Sequence, residues 1–173
     1  MGVDSGAGIG KGEVVAEHTT QRTGVRGSTQ SCYAVVTDFE RYPEWAADIK
    51  AVTIDERDED GRASRVTFRA AAFGRSTTVT VDYDYSSAPG RLSWVQSHGD
   101  ITSRYDGSYH FEDVGSGETE VTYTLDVELR VPIPGFVKRR AESRIVGTAL
   151  RELKAWVENG TAAEVAEEST PAS

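Results

Sequence analysis

The chain has 173 residues, with 19 Lys and Arg against 28 Asp and Glu, so its formal net charge is -9. This length suits one domain with a substantial core, and the acidity argues against a nucleic-acid partner, because a phosphate-binding surface normally carries net positive charge. The single cysteine, Cys32, excludes an internal disulfide and favours a reducing compartment, and we expect it to pack in the core.

The two ends of the chain differ from its centre. Residues 1–16 contain five glycines and no periodicity, which indicates a flexible leader. Residues 161–173 are small, acidic and aperiodic, which indicates a disordered tail. A single folded domain is expected at residues 17–160. Because the sequence has neither a long apolar run nor the apolar core of a signal peptide, we expect a cytoplasmic protein without stable membrane insertion.

The first predicted elements are a strand and two short helices. Residues 17–25 are rich in threonine and alternate weakly, as an edge strand does. Ser28 or Thr29 can cap a short helix that ends near residue 37. Pro43 disfavours helical geometry at the residue before it and can open a second short helix, so residues 38–45 form a helix-break-helix elbow.

Six further strands follow, in which apolar and polar residues alternate. The turns that separate these strands are rich in glycine and acidic residues. The strands are predicted at residues 51–57, at 63–72, at 76–86, around Leu92 and Trp94, at 101–112 and at 119–129. Gly107 falls in the middle of the strand at 101–112. A glycine there usually marks a bulge, a bend or room for a close neighbour.

The last predicted element is a long helix at residues 134–159, with Pro134 in its first turn and Gly160 as its C-terminal stop. Its apolar residues lie on one stripe at helical spacing: Ile145, Val146, Ala149, Leu150, Leu153, Trp156 and Val157. Its first turns are basic, with few apolar residues, and contain Lys138, Arg139, Arg140 and Arg144. This half is either a solvated basic face or a poorly sealed roof over a cavity.

The element order predicts an α+β domain in which a strongly curved, seven-stranded antiparallel sheet wraps around one long helix. Five aromatic residues fall on positions that the alternation assigns to the concave face: Tyr83, Tyr85, Trp94, Tyr109 and Tyr123. An inward tyrosine has an apolar ring and a hydroxyl that needs a partner. The cluster therefore indicates either an apolar cavity with a few polar points or an ordinary aromatic core.

Motifs for catalysis or cofactor binding are absent from the sequence. The histidines, His18, His98 and His110, lack metal-site spacing, and the glycines near the N-terminus do not form a phosphate loop. No serine or cysteine nucleophile motif is present. Strand carboxylates such as Asp126 and Glu128 fall on the polar face and are expected to point to solvent. We therefore assign no catalytic residue and expect no metal or cofactor.

The elbow sequence VTDFERYPEW at residues 36–45 resembles the signature of the polyketide cyclase/dehydrase and lipid-transport group of the START-like superfamily. The sequences DGSY at 106–109 and LRELK at 150–154 are similar to that group too, and the resemblance spans about residues 17–158. It implies a helix-grip fold with a deep cavity for lipids, sterols, quinones or polyketides. Some relatives are aromatase/cyclases that direct an aldol ring closure, and others only bind and carry.

These observations lead to the hypothesis that the protein binds or transports a small hydrophobic ligand in an internal cavity. The ligand-binding residues are predicted to be Phe68, Phe73, Tyr83, Tyr85, Trp94, Tyr109, Tyr123, Phe136, Arg140 and Arg144. Trp45 and Gly147 are assigned to the cavity rim or to a structural role.

Two alternatives remain open at this point. The first is a polyketide cyclase/aromatase in which Arg140 or Arg144 polarises an enolate and a tyrosine transfers a proton. The second is a domain with a filled core that binds another protein through its surface. The sequence leaves the ligand, any protein partner and the oligomeric state undetermined.

Overall fold

A computed structural model of the protein describes residues 18–72 and 74–168. The predicted leader at residues 1–16 lies outside the described residues, as does Phe73. Within the described chain, no helix combines the length and the apolar character needed to cross a bilayer.

Seven antiparallel strands form one sheet in the order β1-β7-β6-β5-β4-β3-β2. Their bounds are β1 Thr19–Arg26, β2 Ile49–Arg57, β3 Ala63–Ala72, β4 Arg75–Asp84, β5 Arg91–Gly99, β6 Thr102–Gly115 and β7 Glu118–Leu129. The helices are α1 Thr29–Thr37, the one-turn 3-10 helix Phe39–Arg41, α2 Tyr42–Trp45 and α3 Gly135–Glu168. The predicted α+β class, the strand count and the two short helices between β1 and β2 are confirmed.

The alternation of β7 places its apolar residues on the concave face, where Val121, Tyr123, Leu125 and Val127 are buried. The turn that precedes this strand needs three consecutive residues with positive φ, at Gly115, Ser116 and Gly117 (92°, 58° and 75°). Glycine adopts this region without steric cost, so two of the three positions are unstrained.

Helix α1 begins at a Ser28 cap, whose hydroxyl oxygen accepts a hydrogen bond from the backbone N–H of Ser31 at 3.0 Å. Its inner face carries Cys32 and Val36, which are both fully buried. The prediction that Cys32 packs in the core is confirmed. Burial raises the pKa of the Cys32 thiol to about 11, so the thiol stays protonated at neutral pH.

The elbow after α1 connects the short helices to the sheet through aromatic rings. The hydroxyl of Tyr42 donates a 2.6 Å hydrogen bond to the carbonyl of Val36, and its ring lies 5.6 Å from the ring of Phe68 on β3. The guanidinium of Arg41 lies 5.5 Å from the ring centre of Trp156, which links the elbow to α3. The short helices therefore pack against one end of the sheet and against α3.

Helix α3 lies along β1 and β7 and packs through Val146, Leu150, Leu153 and Val157, all of which are buried. It continues to Glu168, so the predicted stop at Gly160 is wrong, and the predicted disordered tail is helical from residue 161 to 168. A glycine in a helix costs only about 1 kcal/mol. Because alanine and glutamate dominate the residues after Gly160, the helix extends through it.

The N-terminal half of α3 is anchored by a buried carboxylate. Glu142 is 1% exposed and accepts hydrogen bonds from the hydroxyl of Thr19 at 2.9 Å, the backbone N–H of Val127 at 2.8 Å and the ammonium of Lys138 at 2.8 Å. This N–H lies two residues beyond Leu125, the last β7 residue paired with β1. The carboxylate of Glu142 therefore accepts the hydrogen bond from the N–H of Val127 in place of a backbone carbonyl of a neighbouring strand.

Lys138 belongs to the same buried network, so the expectation of a solvated or poorly sealed basic half of α3 is wrong at this residue. Its side chain is 16% exposed, and its ammonium lies 3.6 Å from Asp126 and 3.8 Å from Glu128. Burial alone would lower the pKa of Lys138, but these carboxylates and Glu142 outweigh burial and raise it. Asp126 was expected to face solvent, yet one of its oxygens is buried.

Candidate functional site

A cavity of about 130 Å³, partly open to solvent, lies between the concave face of the sheet and the middle of α3. One water occupies about 10–15 Å³ on the same scale, so the cavity has room for a small organic molecule. The lining residues come from the elbow, the strands β2 to β7 and α3: Tyr42, Trp45, Ala46, Asp48, Ile49, Phe68, Ala70, Ala71, Ala72, Thr77, Val79, Val81, Tyr83, Trp94, Thr102, Tyr105, Tyr109, Tyr123, Ile145, Thr148, Ala149 and Glu152.

Aromatic rings on four adjacent strands form the wall of the cavity. The Trp94 ring centre lies 5.8 Å from that of Tyr83, 5.7 Å from that of Tyr109 and 5.8 Å from that of Tyr123. The last two tyrosines are 4.6 Å apart. Tilted and edge-on pairs of aromatic rings attract each other at these distances. The rings therefore stabilise one another while leaving the cavity beside them open.

Gly107 on β6 makes room for the Trp94 indole. A β-carbon at this position would lie 2.7 Å from a ring carbon of Trp94 and 2.6 Å from the carbonyl oxygen of Thr124. Both distances are too short for real contacts. The unusual glycine in the middle of the strand is therefore explained by a close neighbour, which is one of the roles that the sequence suggested.

Two hydroxyl groups of the wall have no partner in the described part of the protein. Tyr42 and Tyr85 donate to backbone carbonyls at 2.6 and 2.7 Å, and the hydroxyl of Tyr123 interacts with that of Tyr105. Neither Tyr83 nor Tyr109 forms a side-chain hydrogen bond with another described residue, although Tyr109 is only 5% exposed. Both tyrosines line the cavity, so their hydroxyls can form a hydrogen bond with a molecule that binds there.

Burial keeps the cavity phenols protonated. It raises the pKa of Tyr83, Tyr109 and Tyr123 well above the ordinary value of 10.0, and it raises the pKa of Tyr105 to about 12. At neutral pH these groups are hydrogen-bond donors and acceptors. They are not bases.

Alkaline pH is expected to unfold the protein rather than titrate its cavity tyrosines in place. Tyrosines of an unfolded chain lose their protons near pH 10, whereas Tyr85 and Tyr105 hold theirs to about 12 in the folded state. Above pH 10 the unfolded chain binds fewer protons than the folded one, so the stabilisation present below pH 10 is lost as the pH rises through 12.

This prediction is measured by absorbance near 295 nm together with far-UV circular dichroism on one alkaline titration. Tyrosinate should form together with loss of the sheet signal, and the protein in concentrated guanidinium chloride serves as the reference for unperturbed tyrosines. Titration of all seven tyrosines near pH 10 with the sheet signal intact would contradict the burial argument.

The polar groups of the lining gather at the end of the cavity near the start of β2. Asp48 follows α2, and Glu152 projects from α3, where its two carboxylate oxygens each lie 3.3 Å from the backbone nitrogen of Ala47. The hydroxyls of Thr77 and Thr102 already donate to Asp100 and Gln96, both at 2.6 Å. The cavity thus has an apolar aromatic interior and an acidic end.

The structure brings together about half of the predicted ligand-binding residues. Phe68, Tyr83, Trp94, Tyr109 and Tyr123 line the cavity, and Trp45, which was assigned to the rim or a structural role, lines it too. The alternation of the strands placed four of the five concave-face aromatic residues correctly, all except Tyr85, because every second side chain points to the same side of a sheet.

The other predicted residues lie elsewhere, so the expectation that they line the cavity is corrected. Tyr85 follows the end of β4, where its hydroxyl is bound by the carbonyl of Ala63. Phe136 is 57% exposed in the first turn of α3. Arg140 and Arg144 are exposed on the side of the helix away from the sheet.

Gly147, the second residue assigned to the rim or to a structural role, faces β1 rather than the cavity. A β-carbon there would meet the side-chain amide oxygen of Gln21 at 3.4 Å. Phe73 lies outside the described residues. The side chains through which α3 reaches the cavity are instead those of Ile145, Thr148, Ala149 and Glu152.

Several lining residues were missed from the sequence, and some had a usable signal. Tyr105 shares the concave parity of Tyr109, and Ala70 follows Phe68 on the inward face of β3. Small inward residues opposite large ones leave space, which makes such alanines good markers of a cavity. Asp48 lies in a loop without periodicity, so no sequence pattern indicated that it borders the cavity.

Metal-binding groups are not clustered in the described residues, where no set of three or more histidine, cysteine, aspartate or glutamate side chains could hold an ion. His98 and His110 are exposed on the sheet. The described lining contributes phenols, indoles, hydroxyls and two carboxylates to the cavity.

The fold and the cavity define a helix-grip domain with an internal, aromatic-walled site. The chain belongs to the polyketide cyclase / dehydrase and lipid transport family, whose model matches residues 25–154. This confirms the resemblance seen in the elbow sequence. No curated protein matches the chain.

Solved structures with the same fold include proteins from several bacteria. A START superfamily protein from Mycobacterium smegmatis is 25% identical, with a TM-score of 0.79, and the match covers 82% of this chain and 97% of that one. The Zhui aromatase/cyclase from a Streptomyces species is 16% identical, with a TM-score of 0.70, and covers 82% and 93%. A Thermus thermophilus protein is 20% identical, with a TM-score of 0.68, and covers 83% and 98%.

Proposed function

We propose that the protein binds a small ring compound in the cavity under α3 and carries it without changing it. The observation that supports this function is the combination of empty, aromatic-walled space with the unpartnered hydroxyls of Tyr83 and Tyr109. Binding sites for small molecules are typically apolar with a few polar groups that fix orientation.

The energetics of such a site are favourable for a flat apolar ligand. Burying about 200 Å² of ligand surface contributes about 5 kcal/mol, before the cost of immobilising the ligand. A hydrogen bond to the hydroxyl of Tyr109 adds about 1 kcal/mol, the usual net contribution of such a bond. Rings of the wall provide stacking surfaces along the whole interior.

A cyclase or aromatase is the second candidate, because the family and the solved aromatase/cyclase share this fold. In such an enzyme the phenol of Tyr109 would donate to a ketone oxygen, and Asp48 or Glu152 would accept a proton from carbon. The predicted role of Arg140 or Arg144 in polarising an enolate finds no support, since both are exposed and outside the lining. Among the described lining residues there is no lysine, arginine or histidine that could stabilise an enolate.

The test compares binding with turnover in Tyr109→Phe and in a control, Tyr85→Phe, whose hydroxyl lies outside the cavity. Binding of a neutral naphthalene alcohol is measured by calorimetry, and ring closure of a linear poly-β-ketone thioester is followed by absorbance. A carrier should lose about fivefold in affinity in Tyr109→Phe, keep wild-type affinity in Tyr85→Phe and never accelerate ring closure.

Acceleration of ring closure by the wild type, with loss of that acceleration in Tyr109→Phe, would establish the enzyme instead. Absence of binding to the wild-type protein would reject the carrier function. The two candidates therefore differ in whether the wild-type protein accelerates ring closure.

A further inference from the structure

The charged groups that line the cavity all have the same sign. Among its lining residues, Asp48 and Glu152 are the charged ones, and neither lysine, arginine nor histidine contributes to the described lining. Beside the apolar walls of this cavity, such charges act more strongly on a bound molecule than they would in bulk water.

Neither carboxylate is neutralised by an ion pair with a described residue. Glu152 accepts from the backbone N–H of Ala47, which leaves its charge in place, and the side chain of Asp48 forms no hydrogen bond with a described residue. After burial, the charge of Asp48 also contributes to the raised pKa of Tyr105, which is another residue of the lining. The cation nearest to Asp48 in sequence, Lys50, donates to the carbonyl of Ala47 at 2.9 Å on the surface.

The groups around this acidic end also favour a positive charge. Trp45 and Tyr105 line the cavity together with the carboxylates, and aromatic faces attract cations. The unpartnered hydroxyl of the buried Tyr109 lies on the wall and can accept or donate a hydrogen bond. A ligand with an apolar ring inside and a protonated nitrogen at the acidic end would satisfy all of these groups.

We infer that the cavity is selective for amine-bearing ring compounds and rejects ligands that carry a carboxylate. This inference rests on the proposed binding function and adds a chemical class to it. A fatty acid or another apolar acid would place its charge beside Asp48 and Glu152 and be repelled. An amine of the same shape would be attracted by the same charges.

The experiment uses three probes with one skeleton at pH 7: 2-naphthylmethylamine, 2-naphthylmethanol and 2-naphthoate. Calorimetry on the full chain should give affinities in that order, with about tenfold between successive probes. Raising the ionic strength should narrow the differences only in part, because charges inside a cavity are screened less than exposed ones.

The variant Asp48→Asn/Glu152→Gln should reduce the differences in affinity among the three probes to about threefold or less. The matched control is Glu112→Gln/Glu120→Gln, which changes the net charge equally on the outer face of the sheet, and it should keep the wild-type order. If the double variant does not fold, Asp48→Asn alone serves, since that side chain holds no described hydrogen bond.

The outcomes separate the two claims. Equal affinities for amine and carboxylate in the wild type, or tighter binding of the carboxylate, would overturn the inference while binding of the alcohol upholds the proposed function. An order that survives unchanged in the cavity variant would also overturn it. If none of the three probes binds, the proposed function fails and the inference fails with it.

Discussion

Replacing Glu142 by alanine is expected to lower the free energy of unfolding by about 3 kcal/mol, a large fraction of the stability of an ordinary domain. The substitution removes the acceptor for the N–H of Val127 and the hydroxyl of Thr19, and it removes the partner at 2.8 Å from the ammonium of Lys138. The cost stays at the lower end for a broken buried pair because Asp126 remains 3.6 Å from that ammonium.

Urea unfolding monitored by circular dichroism measures this effect, and Glu44→Ala provides the control. Glu44 pairs with Arg41 at 3.0 Å, but both side chains are 53% exposed, so its removal should cost less than about 1 kcal/mol. Glu142→Gln keeps an acceptor oxygen and should fall between the two. A loss in Glu142→Ala no larger than in the control would show that the carboxylate does not anchor the helix.

Filling the cavity is expected to abolish ligand binding. Ala149 lies on the face of α3 that lines the cavity, so Ala149→Trp places an indole in the space between the helix and the aromatic wall. Affinity for the neutral naphthalene alcohol should fall about a hundredfold or more. Stability should change by about 1–3 kcal/mol at most, because the new side chain occupies existing space.

Ala155→Trp is the matched control, since it makes the same change on the exposed side of the same helix. It should leave the affinity unchanged. Calorimetry gives the binding constant, and thermal unfolding shows whether either variant has lost its fold. Wild-type affinity in a folded Ala149→Trp variant would place the binding site somewhere other than this cavity.

The sequence was most informative where one physical requirement dominates. In β7 the concave face must be apolar, so the alternation from Val121 to Val127 predicted both the strand and its buried side. The same rule placed Tyr83, Trp94, Tyr109 and Tyr123 on the cavity wall. In the structure, the consecutive strands β2 to β7 are also neighbours in the sheet, as is usual for antiparallel strands joined by short turns.

Helix α3 was predicted less well because one of the residues on its buried face is charged. Glu142 continues the row formed by Val146 and Leu150, but a pattern based on apolar residues skips it. Its carboxylate is buried because it binds the N–H of Val127 on another element and the ammonium of Lys138 on the same helix. Neither contact can be predicted from the helix sequence alone. As a result, the half of α3 that looked poorly sealed is fixed by polar contacts.

The cavity forms because small side chains from distant parts of the chain face each other. No local sequence pattern indicates that these parts are neighbours. Ala70 on β3 and Ala149 on α3 face the same space from opposite sides, yet nothing in either segment indicates that the other is its neighbour. The exposure of Arg140 and Arg144 likewise depends on how α3 packs against other elements. The rotation of α3 about its axis is set by contacts with β1 and β7 rather than by its own sequence.

A crystal of the protein grown with 6-bromo-2-naphthol tests the central claim most directly, because bromine can be located by its anomalous scattering. The account predicts a bromine peak between α3 and the sheet, in contact with the ring wall of Trp94, Tyr109 and Tyr123. Tightly packed protein side chains in that space, with bromine only on the outer surface or at no site, would contradict the account.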